Sequence, residues 1–190
     1  MNKFLLLIFF TGIFFYSYAD DREFIQPDGD FIVKNQNTAY LPLSRTVEYV
    51  NQAREVPNGE NPKAAYLPSF DAAIKDLTLA TELPPVDFST YNHSTSVALL
   101  DFIVAMPDFT RLLMLNYKAG IESGRPEMVY ASLFSALRLD ATVAGYPYVI
   151  GVLMGSGRMG IILEAIKDSA SDAPLNTLSA AELETLLAEV

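Results

Sequence analysis

The chain has 190 residues, with 13 Lys+Arg against 23 Asp+Glu, a single His and no Cys. A net charge of −10 repels phosphate backbones and anionic headgroups, so nucleic acid is excluded as a partner and the membrane is left only to an apolar segment. Without Cys there are no disulfides, thiolate metal sites or thiol nucleophiles, and stability has to come from packing.

In chain order, Lys3 precedes the uncharged apolar run Phe4 to Tyr16, and Ser17-Tyr18-Ala19 stands ahead of Asp20-Asp21. A cation, a short apolar core and small residues at the −3 and −1 positions form a signal-peptide layout, with cleavage expected after Ala19 and an uncleaved anchor as the alternative. Both place the body outside the cytoplasm, in a periplasmic, cell-envelope or extracellular space. No Cys follows the run, which rules out an acylated amino terminus. Removal of residues 1 to 19 takes only Lys3 among the charges, leaving 12 Lys+Arg against 23 Asp+Glu, a net −11.

Residues 20–43 read as an irregular lead-in, with Pro27-Asp28-Gly29-Asp30 a turn between extended pieces such as Phe31-Ile32-Val33. The two carboxylates there fall short of a calcium-loop ligand series. Ser44 is expected to cap a first helix reaching about Val56, before Pro57-Asn58-Gly59 breaks it. Asn61-Pro62 is expected to start a second, carried to Thr81 by Ala72, Ala73, Ile74, Leu77 and Leu79 and bent or delayed by Pro68. Pro84-Pro85 and the polar run Ser89 to Ser96 read as a linker.

Val97 to Met106 and Asp108 to Glu122 are expected to be two helices divided by Pro107, the second capped by Asp108. Ser123-Gly124 should close that helix and Arg125-Pro126 open the next, making a hairpin whose second arm repeats Val129, Leu133, Ala136 and Leu137. Tyr146-Pro147 opens a long apolar helix to about Ala170, stopped by Asp172-Ala173-Pro174. Ser179 and Glu182 then form a capping box for a last helix, striped by Leu183, Leu186, Leu187 and Val190 at i, i+3, i+4 and i+7. No stop signal follows, so the stripe either folds back on the bundle, meets another chain, or leads into further sequence.

Among chemistry-bearing patterns, Gly155-Ser156-Gly157-Arg158-Met159-Gly160 matches the dinucleotide fingerprint G-x-G-x-x-G. That chemistry needs a second strand with an acidic residue about twenty positions on, where this chain has the helix start Leu178 to Glu182. The glycines instead form small ridges, Gly151 with Gly155 and Ser156 with Gly160, for close approach of a neighbouring helix. His93 is alone in its polar segment, and Met154 stands where a serine-hydrolase elbow needs glycine. Carboxylate pairs such as Asp71 with Asp76 and Asp101 with Asp108 read as solvated helix faces. Asn92-His93-Ser94 is an N-glycosylation triplet, relevant only in a eukaryotic secretory pathway. No catalytic residue, metal ligand or cofactor is assigned.

Gly124, Val129, Leu133 and Ala136 resemble the second half of a tetratricopeptide repeat, though Gly120 stands where tyrosine is usual, Ala141 where proline is usual, and no second copy follows. Gly124, Ala136-Leu137-Arg138-Leu139, Pro147 and Leu178-Ser179 together resemble a module of uncharacterised bacterial envelope proteins, covering residues 122–190. The resemblance implies an exported or anchored all-helical protein without known activity, and relatives that continue into further helices.

The expected architecture is all-α: residues 1–19 a signal segment, 20–43 the lead-in, and 44–190 one bundle of about six helices, with Val190 expected to be an early end. The expected function is a non-enzymatic interaction or scaffold protein whose C-terminal stripe, Leu183, Leu186, Leu187 and Val190, meets a protein partner or a second copy. The alternatives are a membrane-active protein inserting residues 141–163, and a secreted enzyme using unassigned carboxylates.

Overall fold

The computed structural model describes residues 29–54, 70–87, 93–143, 149–169 and 178–188. These form an all-α structure: α1 (Gly29–Asn35), α2 (Tyr40–Arg54), α3 (Phe70–Glu82), α4 (His93–Glu122), α5 (Pro126–Arg138), a 3₁₀ turn (Leu139–Val143), α6 (Val149–Ser169) and α7 (Ala180–Ala188). The signal segment, Asn61-Pro62, Asn92, Pro147, Asp172-Ala173-Pro174 and Val190 lie outside the described residues.

The central element is α4, against which α2, α3, α5 and α6 all pack. Phe102, Met106, Phe109, Leu113 and Tyr117 recur every three or four positions along it and are buried. Leu43, Val47 and Val50 of α2 and Ala73, Leu77 and Ala80 of α3 supply the same i, i+4, i+7 stripe from one side. Val129, Leu133 and Ala136 of α5 supply it from the other.

Pro107 does not divide α4, which runs unbroken through it. The expected two helices are one, because apolar side chains are buried both before the proline (Phe102, Ala105, Met106) and after it (Phe109, Leu112, Leu113). Packing on both sides outweighs the one hydrogen bond that a proline removes. Thr110 Oγ1 donates to the Met106 carbonyl (3.0 Å) across the same turn. Asp108 is therefore not a cap; it pairs with Arg111 at 2.7 Å.

Phe31-Ile32-Val33, expected to be extended, lies in α1. Phe31 and Asn35, four apart, face inward while Val33 is 65% exposed, which is a helical and not an alternating pattern. The Tyr40 ring meets Phe31 (5.2 Å between centroids) and Phe102 (5.7 Å) edge-on, tying α1 and α2 to the centre of the bundle. Helix α2 also starts earlier than expected. Thr38 Oγ1 accepts from the Tyr40 amide (3.2 Å), and Ser44, expected to be the cap, instead donates to the Tyr40 carbonyl from within the helix (2.9 Å). Pro42 is tolerated because it lies in the first turn, where its missing N–H has no helical acceptor.

Local chemistry decided the elements that follow. At the end of α4, Gly124 has φ +64°, its N–H donates to the Ile121 carbonyl (3.0 Å), and the Arg125 N–H donates to the Gly120 carbonyl (2.8 Å). That is the Schellman arrangement, for which glycine is suited by its lack of a Cβ. Pro126 then occupies the first position of α5. The capping box of α7 also forms. The Ser179 amide donates to Glu182 Oε2 (2.7 Å) and the Glu182 amide to Ser179 Oγ (3.3 Å).

Candidate interaction surface

The hairpin of α4 and α5 closes at Gly120, where an added Cβ would stand 3.0 Å from Met128 Cβ and 3.1 Å from the Val129 backbone nitrogen. A glycine here lets two backbones approach. The glycines of α6 behave differently. Residues 155–160, the G-x-G-x-x-G match, lie inside a continuous helix and not at a strand-to-helix turn. Ser156, Gly157 and Gly160 are exposed, and no atom of the described residues lies within 4 Å of a Cβ placed at Gly157 or Gly160, apart from the adjoining chain and the helix's own backbone. The Ser156 and Gly160 ridge, expected to seat a neighbouring helix of this chain, faces outward instead.

Leu163 shares that outward face and is 58% exposed. Its flanks are Glu164 and Lys167, both exposed. Val33 and Leu79 are also exposed large apolar residues, but single apolar side chains on a surface are ordinary. At Leu163 the apolar side chain shares the outward side of α6 with Gly157 and Gly160, two positions that carry no side chain.

The opposite face of α6 carries Arg158, Ile162 and Ala165, all buried. Arg158 is 2% exposed and stands at the junction of α4, α5 and α6. Its Nε donates to Thr110 Oγ1 (2.9 Å) and its NH2 group to the Ala136 carbonyl (2.7 Å) in the last turn of α5. A cation at the carboxyl end of a helix is favoured by the helix dipole. A buried guanidinium needs such acceptors, since its desolvation is otherwise expensive. From the sequence, Arg158 figures only as a variable position inside the G-x-G-x-x-G match. The available signal was that it is the lone charge between Asp140 and Glu164, spaced at i, i+4 and i+7 with Ile162 and Ala165.

No family model matches the chain, and neither a curated protein nor a solved structure matches it. The site must be judged by its own geometry.

Of the C-terminal stripe, Leu186 is buried and Leu183 half-buried against the core, with α7 packed on α5. The Leu187 side chain and Val190 lie outside the described residues. Of the carboxylate pairs, Asp71 and Asp76 are separated in role. Asp71 is exposed, whereas Asp76 accepts from Arg45 Nε (2.9 Å) and NH2 (2.6 Å), a bidentate pair joining α3 to α2. Those hydrogen bonds, more than any longer-range attraction, raise the pKa of Arg45 above its ordinary value. Among the described residues no group of three His, Asp or Glu side chains is arranged to hold a metal ion, and no helix is long and apolar enough to cross a membrane. Asp76 is paired with Arg45 of α2 and Asp108 with Arg111 of its own helix, and the Asp101 and His93 side chains lie outside the described residues.

Proposed function

We propose that the protein is a non-enzymatic helical interaction protein of the exported space or cell envelope, contacting a protein partner or a second copy through the outer face of α6. The supporting observation is Leu163, more than half exposed, beside Gly157 and Gly160, which have open space where a side chain would be. Two glycines in a helix interior cost about 0.5–1 kcal/mol each relative to alanine, and no contact among the described residues requires them. A helix laid across these positions approaches backbone to backbone, with Leu163 as the apolar knob. The signal-peptide layout at residues 1–19 supports an exported setting, and the resemblance of residues 122–190 to bacterial envelope proteins supports the envelope. The stripe Leu183, Leu186, Leu187 and Val190 is the rival surface; Leu183 and Leu186 already lie against the bundle, which puts α6 ahead.

A photoreactive phenylalanine analogue introduced at Gly160 of the full chain, in producing cells, tests this against the same analogue at the exposed position Glu127. Position 160 is expected to yield a discrete protein adduct that Leu163→Glu removes. Equal or weaker adducts at 160 than at 127 would sink the assignment of this face.

A further inference from the structure

The outward arc of α6 fits a reversed copy of itself. Among the described residues its exposed positions are Ser156, Gly157, Gly160, Leu163, Glu164 and Lys167. Leu163 is the one large apolar side chain there, and no described residue fills the space where side chains of Gly157 and Gly160 would be. A lone knob and a gap on the same face match when a second helix runs the opposite way. With an antiparallel copy crossing at Gly160, the helical repeat places Leu163 of each copy against Ser156 and Gly160 of the other, and Glu164 against Gly157. A parallel copy would instead set like beside like, Leu163 with Leu163 and Glu164 with Glu164. Gly160 also stands one residue from the midpoint of α6 (Val149–Ser169), so a twofold axis beside it pairs nearly equal lengths of helix on either side, with the dipoles opposed.

Charge selects the same occupant. The chain carries a net −10, whereas the exposed arc of α6 holds one Glu and one Lys and is neutral. A basic partner drawn by the field of the body finds no net charge to meet at this arc, while two acidic copies repel least where their facing surfaces are neutral. Building on the reading of α6 as the interaction surface, we propose that its occupant is a second copy of this chain, in an antiparallel twofold pair crossing at Gly160. A single helix crossing buries less than the total of about 1,200 Å² at which stable interfaces begin. The pair is therefore weak and concentration-dependent. It strengthens as added salt screens the repulsion between the two bodies, where a complex with a basic partner would weaken.

The chain contains no cysteine, so introduced thiols report alone. Ser156→Cys and Leu163→Cys chains, each made from the full sequence with its own tag, are mixed and oxidised at low and at moderate salt. In the antiparallel pair position 156 of one copy faces 163 of the other. Each position stands about 12 Å (156) or about 9 Å (163) along the helix axis from its own twin. A disulfide spans no more than about 7 Å between Cα atoms. The mixed disulfide is expected to exceed either homodimer several-fold and to grow with salt. Homodimers in excess, the three species in statistical proportion, or a yield no greater than that of an Ala72→Cys and Glu127→Cys pair at exposed positions on other helices overturn the pairing. Gly160→Leu added to both chains should abolish the mixed disulfide, and its survival in a folded Gly160→Leu protein overturns the crossing point; should that variant not fold, the ratio of mixed to like disulfides decides alone. Failure of the pairing together with a foreign adduct from the photoreactive residue at 160 removes the second copy and leaves the surface, whereas no adduct at 160 removes the surface as well.

Discussion

The α4–α5 joint and α6 use glycine in opposite circumstances. At the joint, Gly124 adopts φ +64° and Gly120 admits the backbone of α5 to within contact distance, so the fold needs both. On α6, Gly157 and Gly160 have helical conformations, and among the described residues nothing stands where their side chains would be. The same residue type thus marks an internal requirement in one place and open space among the described residues in the other. The joint is anchored in a core that includes Phe109, Leu113 and Tyr117; the described part of α6 commits only Ile162 and Ala165 as buried apolar side chains alongside Arg158.

Truncating the centre of α4 should have the largest effect. Phe109→Ala is expected to cost about 3–5 kcal/mol in urea unfolding, the range for large-to-small changes of a fully buried aromatic; a loss near that of an exposed site would mean the bundle is not centred on α4. The glycines give a comparison of sign. Gly124→Ala should destabilise by about 1–2 kcal/mol, because a Cβ is strained in the left-handed region, whereas Gly160→Ala should stabilise by about 0.5–1 kcal/mol, having helical geometry and open space. Equal signs in thermal unfolding would erase the distinction between the two regions.

The smallest effect concerns pH. Hydrogen bonds from the Ser179 hydroxyl, and then from its amide, lower the pKa of Glu182 below the ordinary carboxyl range. A carboxyl whose pKa is lower in the folded state contributes stability that is fully present above its unfolded value. That contribution fades as the pH falls through the lowered folded value. Amide exchange at the start of α7 should therefore quicken in acid, and Glu182→Gln should flatten that dependence. An identical acid response in Glu182→Gln would detach the capping box from the titration.

These regions also differ in how far they could be read in advance. Gly124 with Pro126, and Ser179 with Glu182, act within a few residues of themselves, so their spacing alone predicts the joint and the cap that the structure contains. The all-α class was legible for the same reason. Phe31-Ile32-Val33 and Pro107 were misjudged because their local preference is overridden by packing from distant segments: the aromatic contacts of Tyr40 in the first case, the apolar side chains flanking the proline in the second. On α6 the glycine pattern was visible, but the direction it faces was not. Arg158 lies in the middle of the buried face, where a charge argues locally for the surface, and the acceptors that satisfy it belong to residues 22 and 48 positions away.

The segment following α3 has a consequence for any attempt to divide the molecule. The Asn35 side chain accepts from the Asp87 amide (2.7 Å) and donates to the Asp87 carbonyl (3.2 Å), the Ala39 amide donates to the Pro84 carbonyl (2.9 Å), and the Val86 amide donates to the Thr142 carbonyl (2.9 Å). Residues 84–87 are in effect a seam stitched on one edge to the start of the described chain and on the other to the end of the α4–α5 hairpin. Fragments separated between α2 and α3 would each carry half of those stitches. Mixed together, they should behave as two parts of one cooperative object, recovering structure only in each other's presence.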